Sequence, residues 1–189
     1  MASYDLCTLD ECREYMDMKG TDSLVNDLLA DLITRVSDRF HQYVGITQFK
    51  SQSYTEYYSG QGNQELFLNQ RPIISVTTIK EDSEWAFGND STKSSDDYAI
   101  LDDRVVLKDD SFGAGIRNIQ VVYTAGYATI PGDLRQACIE EVSRAFDKRQ
   151  NVDISSRTLP DTTTFTARND SLMPDTIDVL KRYIGVGVY

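Results

Sequence analysis

The sequence is poor in the residues on which metal and redox chemistry depend. It holds one histidine, His41, and three cysteines, Cys7, Cys12 and Cys138, among 189 residues. No C-x-x-C pair occurs, and one imidazole does not complete a zinc site, so no metal centre is expected. Three cysteines without motif spacing fit reduced, partly buried thiols rather than a disulfide framework. His41 falls in a helical pattern, where a surface or subunit-interface position is expected. No run of 18 or more apolar residues occurs, so no membrane-spanning helix is expected. The opening "MASYDLCTLDEC" is acidic and lacks the apolar core of a signal peptide, so secretion is not expected.

Enzyme signatures are also missing. There is no P-loop, no G-x-S-x-G and no H-E-x-x-H. The stretch "GQGNQE", Gly60 to Glu65, is glycine-rich like a phosphate loop, but it lies between two strand patterns with no helix after it. A hairpin turn is the expected reading. The acid clusters "SSDDY" and "LDDR" lack the closing glutamate that a calcium loop requires. No catalytic residue, cofactor or metal is therefore assigned.

Acidity is what the composition does supply. Thirty acids against 19 bases give a formal charge of −11, concentrated in the first two-thirds of the chain. Such a surface repels nucleic acid rather than holding it, although DNA could slide past it without sticking.

Periodicity divides the chain into three regions, 1–48, 49–126 and 127–189. In "TLDECREYM", Thr8 and Glu11 fit a capping box, and Gly20 fits a stop. A long amphipathic helix follows, capped at Thr21 or Asp22 and ended by Gly45. Its apolar positions are Leu24, Val25, Leu28, Leu29, Leu32, Ile33, Val36, Phe40 and Tyr43. Asp27, Asp31 and Asp38 lie on its other face. From about residue 50 the period becomes two. Residues 51–69 read as a hairpin, "RPIISVTTIKED" as a strand, "EWAFGNDSTKSSDD" as a loop and "YAILDDRVVL" as a hairpin around Asp102-Asp103. "IRNIQVVYTAG" is the last of about six strands, arranged as a small sheet or sandwich. Gly126 is placed to let the backbone leave the sheet, and Pro131 to start a third helix. Leu28, Leu32, Val36, Leu134, Val142 and Phe146 are expected to form the inter-helix core. A stretch of over 20 residues without a period follows, and "PDTIDVLKRYIG" closes with a short helix. The fold class is α+β, a helical bundle with an inserted antiparallel β region.

The segments "YSGQGNQELFLNQRPIISVTTI", "VVYTAGY" with its following "IP", and the C-terminal "LKRY" occur in a known order. This order resembles that of the tailed-bacteriophage head–tail connector family, also called adaptor or head-completion proteins, in its longer members with a β insertion. The resemblance covers nearly the full length. It implies a structural virion protein at the head–tail junction, in a ring, typically a dodecamer, beneath the portal. Such a ring extends the DNA channel and offers a platform to the tail or stopper, and DNA passes through it without specific binding. No membrane partner is implied, and the family has no catalytic residues to transfer.

On this reading Asp27, Asp31 and Asp38 are candidate channel-lining residues. Leu159, Phe165, Leu172, Ile184, Val186, Val188 and Tyr189 are candidate partner-binding residues, because isolated apolar anchors and an alternating tail fit strand addition to a neighbour. The competing reading is a tyrosine-rich β module that recognises glycans or another surface partner. Tyr54, Tyr57, Tyr58, Tyr98, Tyr123 and Tyr127 lie in or beside strands, where aromatic residues are also simply good sheet formers. A third, a metal-dependent hydrolase or nuclease, would need the acid clusters to bind a divalent ion.

Overall fold

The computed structural model describes residues 2–20, 22–149, 156–158, 164–166 and 172–184, with backbone alone at 156–158 and 164–166. Over the described residues it is a mixed α+β protein with four α-helices and antiparallel sheets. The chain divides into two compact units, Met1–Val44 with Pro131–Ile184, and a second formed mainly by Gly45–Ile130.

The first unit holds α1 (Leu9–Tyr15), α2 (Ser23–Val44), α3 (Gly132–Lys148) and α4 (Pro174–Lys181). The capping box is present: Glu11 N–H donates to Thr8 Oγ1 at 3.2 Å, and Thr8 N–H donates to Glu11 Oε2 at 2.7 Å. Asp22 Oδ1 accepts from Leu24 N–H at 3.0 Å and so caps α2. Gly45, at φ 77°, ends it in the left-handed region that glycine adopts without strain. Gly132 opens α3 behind Pro131.

The buried stripe of α2 is Leu29, Ile33, Val36, Ser37, Phe40, His41 and Val44. Leu28 and Leu32, expected inside, are only half-buried, while Leu24 is 78% exposed. The helix is rotated so that Ser37 faces inward, where its Oγ accepts from Leu6 N–H at 3.1 Å. That bond satisfies both groups and ties the N-terminal segment to α2. Val36, Leu134, Val142 and Phe146 are buried as expected.

The three thiols, expected to be only partly buried, are in fact at most 3% exposed. Cys7 Sγ lies 3.5 Å from both Cys12 Sγ and Cys138 Sγ. The Cys7 contact and burial push the Cys12 thiol up, away from the reactive thiolate. The cysteines thus serve as small apolar side chains joining the N-terminal segment, α1 and α3.

His41 is a correction: it is 4% exposed, not at a surface. Its ring stands edge-on to Tyr4, with centroids 5.8 Å apart. Burial lowers its pKa to about 4, against the opposing charge of Asp38. A base held neutral in the fold binds fewer protons there than in the unfolded chain. The associated stability is complete above pH 6.5 and is lost as pH falls toward 4. Between pH 6.5 and 5 the loss should be roughly 1.5 kcal/mol. Urea titrations of wild type and His41→Asn across that window check this, and equal pH slopes would contradict it.

The second unit is a two-sheet sandwich. Its first sheet has the order β1 (Gln52–Gly60), β6 (Gly115–Ala125), β3 (Ile73–Glu81). Its second has the order β2 (Glu65–Phe67), β5 (Arg104–Leu107), β4 (Tyr98–Ile100). All of these pairings are antiparallel. Central β6 alternates cleanly: Ile119, Val121, Tyr123 and Ala125 enter the core, with Leu66, Val105 and Leu107 from the second sheet in the same cluster.

The expected hairpin at 51–69 is not formed. β1 pairs with β6 and β2 with β5, so the chain changes sheets between them. Asn118 anchors this crossing: its Oδ1 accepts from Gly60 N–H and its Nδ2 donates to the Gly113 carbonyl, each at 2.9 Å. The β4–β5 hairpin around Asp102-Asp103 forms as expected. The stretch expected to be structureless contains two short antiparallel strands, β7 (Ser156–Thr158) and β8 (Thr164–Thr166).

Candidate interaction surfaces

Among the described residues there is no group of three or more metal-ligating side chains, and no helix is long and apolar enough to cross a membrane. The "GQGNQE" turn borders an open depression of about 660 Å³, and a strand, not a helix, follows it. It therefore lacks the helix N-terminus on which phosphate sites are built. Acids near the "SSDDY" cluster, though not its own, pair with lysine. Lys93 Nζ lies 2.8 Å from Asp110 and 3.2 Å from Glu81, and the Asp110 bond leads in raising its pKa.

Four of the six candidate tyrosines serve the β core. Tyr123 is fully buried, Tyr98 is 7% exposed, and Tyr54 and Tyr58 pack against the core. Tyr123 Oη donates to Glu56 Oε2 at 2.5 Å and accepts from Gln70 N–H at 3.1 Å. Tyr58 Oη donates to the same carboxylate and accepts from Asn69 N–H at 3.0 Å. Burial, followed by the Glu56 hydrogen bond, drives both phenols upward. The two hydroxyls, bridged by Glu56, hold the 69–70 loop directly through its N–H groups.

The acidic candidates lie on α2. Asp27 and Asp31 are exposed, and Asp38 is half-buried. Asp31 pairs with Arg35 at 3.2 Å. Asp38 sits beside Tyr4, whose phenol its charge raises. Asp27 makes no ion pair among the described residues.

Of the C-terminal candidates, Leu172 is 4% exposed. It sits at the entry to α4, beside Met173, whose N–H donates to the buried carboxylate of Glu141. Ile184 is 37% exposed past the end of α4. Phe165 falls in β8, and nothing is described of its side chain. Leu159, Val186, Val188 and Tyr189 lie outside the described residues.

Two exposed apolar patches in the β unit went unread in the sequence. The first surrounds the only tryptophan. Trp85 is 62% exposed and Ile116 is 76% exposed, and Trp85 Nε1 donates to the Ile116 carbonyl at 2.9 Å. Tyr57 packs on Phe87 with ring centroids 5.4 Å apart, and the Arg117 guanidinium lies 5.4 Å from the Tyr57 ring. The supporting loop is built, not slack. Asp82 accepts from Glu84 N–H at 2.8 Å and from Phe87 N–H at 2.9 Å, and Lys80 Nζ donates to the Phe87 carbonyl at 2.8 Å. The second patch is Phe67 and Leu101, 45% and 49% exposed, on either side of Arg104. Arg104 lies 4.4 Å over the Phe67 ring, and Leu101 N–H donates to the Arg104 carbonyl at 2.9 Å. A lone tryptophan in a polar loop was the available signal for the first patch. For the second there was none, because its members come from two strands and a turn.

The described chain thus comprises a helical unit and a two-sheet β unit, the latter with exposed apolar patches. The profile of the head completion protein family matches residues 5–183, and the chain belongs to that family. No curated protein matches it. Among solved structures, it is similar to a chain in the neck of an empty GTA particle computed with C6 symmetry. The TM-score is 0.62 at 13% identity, covering 96% of this chain and 90% of that one. It is also similar to a chain in the neck of a native GTA particle computed with C12 symmetry, with TM-score 0.59, 14% identity and the same coverage. A third similar chain is in the virion of the native gene transfer agent particle, with TM-score 0.54 at 16% identity.

Proposed function

We propose that this protein is a structural head–tail adaptor of a phage-like virion, located at the head–tail junction. The observation that carries the reading is the head completion match over residues 5–183. The similar neck chains, in particles computed with six- and twelve-fold symmetry, support it. The protein acts by assembly, as a ring, most simply of twelve copies, between the portal and the tail or stopper. It carries out no catalysis of its own. Its helices serve as a bundle into which the β region is inserted.

Two finer assignments belong to this reading. Asp27, Asp31 and Asp38 face the DNA path, where negative charge repels phosphate and lets the duplex pass. Tight binding of duplex DNA by the purified chain at physiological salt would contradict this. The C-terminal segment, with Leu159, Phe165, Ile184, Val186, Val188 and Tyr189, contacts the portal and neighbouring copies. Deleting residues 185–189 should abolish portal binding at an unchanged thermal midpoint, and undiminished binding would sink the assignment.

The adaptor role is tested by producing particles without this chain. Heads that join no tails are expected, with tail joining restored by the added protein. Normal tailed particles in its absence would contradict the role.

A further inference from the structure

We infer that the two exposed apolar patches of the β unit are the two halves of one subunit contact, the Trp85–Ile116 patch of one copy seating on the Phe67–Leu101 patch of the next. The inference rests on the ring reading above. A closed ring uses a heterologous contact, in which two different surfaces of each copy meet. Such a subunit needs two complementary patches far enough apart to touch different neighbours.

The strand register provides that separation. Glu81, at the end of β3, pairs with Ile119, three residues beyond Ile116 in β6. Ile73, at the start of β3, pairs with Ala125, and its N–H donates to the Asp102 carbonyl at 2.8 Å. The Trp85 patch therefore lies at one end of the first sheet and the Leu101 turn at the other. Eight steps along β3 make this about 26 Å.

Residue types and backbone agree. Tryptophan, tyrosine and arginine are the types that dominate binding energy at interface centres. Trp85, Phe87 and Arg117 hold φ of 62°, 48° and 50°, in the left-handed region that bulky side chains avoid. Three such residues around one exposed indole mark a backbone held in a costly shape to display it. The charges are complementary. Arg117 on the first patch and Asp102 on the second are both exposed, and neither makes an ion pair among the described residues. Across a subunit boundary they would face each other at the rim and fix register.

The test uses the full-length chain assembled on its portal, imaged by negative stain and quantified by chemical cross-linking. Trp85→Asn removes the indole while asparagine tolerates the positive φ, and is expected to weaken ring formation about tenfold or more. Arg117→Asp and Asp102→Arg should each weaken it several-fold. The double variant carrying both in one chain should recover most of the loss, because each reversed charge meets its partner on the neighbour. The two sites are too far apart within one chain for such rescue to be internal. Folding of every variant is checked by its thermal midpoint. Wild-type rings that all the variants also form, or single charge variants that the double fails to rescue, would overturn the pairing and leave the ring reading intact. A wild-type chain that forms no ring on the portal would overturn the ring reading, and the pairing with it.

Discussion

Replacing Phe40 with alanine should cost the helical unit about 3–5 kcal/mol of stability. Phe40 is fully buried on the inner stripe of α2, between Val36 and Val44, which are at most 4% exposed. α2 packs against α1, α3 and α4, so a cavity left by the ring opens where the helices of the unit converge. A close-packed interior relaxes only partly around such a cavity, and the lost contacts are not recovered. Leu24→Ala in the same helix is the control. Leu24 is 78% exposed, and its truncation should change stability by less than about 0.5 kcal/mol. Urea denaturation of both variants decides the point. A Phe40→Ala cost near that of Leu24→Ala would show that the inner face of α2 is misassigned.

Gly126→Ala should be comparably severe in the β unit, at about 3 kcal/mol or more. Gly126 has φ 107°, which side-chain-bearing residues rarely adopt. A β-carbon there would lie 2.8 Å from the Phe49 carbonyl oxygen and 2.9 Å from the Lys50 carbonyl group. These are backbone atoms in a paired arrangement. Tyr127 N–H donates to Phe49 O at 2.7 Å, Ser51 N–H to Tyr127 O at 3.0 Å, and Gly126 N–H to Pro72 O at 2.9 Å. Relieving the clash means breaking bonds that close the end of the first sheet. Gly20, at φ 119° with open space for 4 Å around the point where a β-carbon would stand, separates the two causes. Gly20→Ala carries the dihedral strain alone and should cost less. Equal costs for the two substitutions in thermal denaturation would mean that the close approach at Gly126 contributes nothing.

Helices were the most legible part of the chain, because their signals are local. The Thr8–Glu11 box and Gly45 each act within a few residues. The phase of α2 was less legible. Its apolar positions are wider than the face its neighbours cover, so Leu28 and Leu32 competed with Leu29 and Ile33 for the interior. Burial of Ser37 and His41, which hydropathy alone places outside, decides the rotation. Strands were legible by alternation, but their pairing was not. "GQGNQ" between two alternating segments looks like a hairpin, yet β1 finds its partner in β6, where Tyr54 opposes Tyr123. That choice depends on the Glu56 clamp and on Asn118, contacts about 60 residues apart in sequence. β7 and β8 escaped notice because three-residue strands are too short to display a period. The family was legible in the order of segments, since order survives where individual residues drift. The two apolar patches were not, since neither is contiguous in sequence.

The proposed role as a ring-forming adaptor at the portal is open to direct test. The most direct measurement is negative-stain imaging of the purified full-length protein mixed with its cognate portal. The expected result is a closed ring of extra density, coaxial with the portal and matching its symmetry, with the DNA channel continuing through it. Portal particles that remain bare at saturating protein, or that carry isolated off-axis copies, would contradict it.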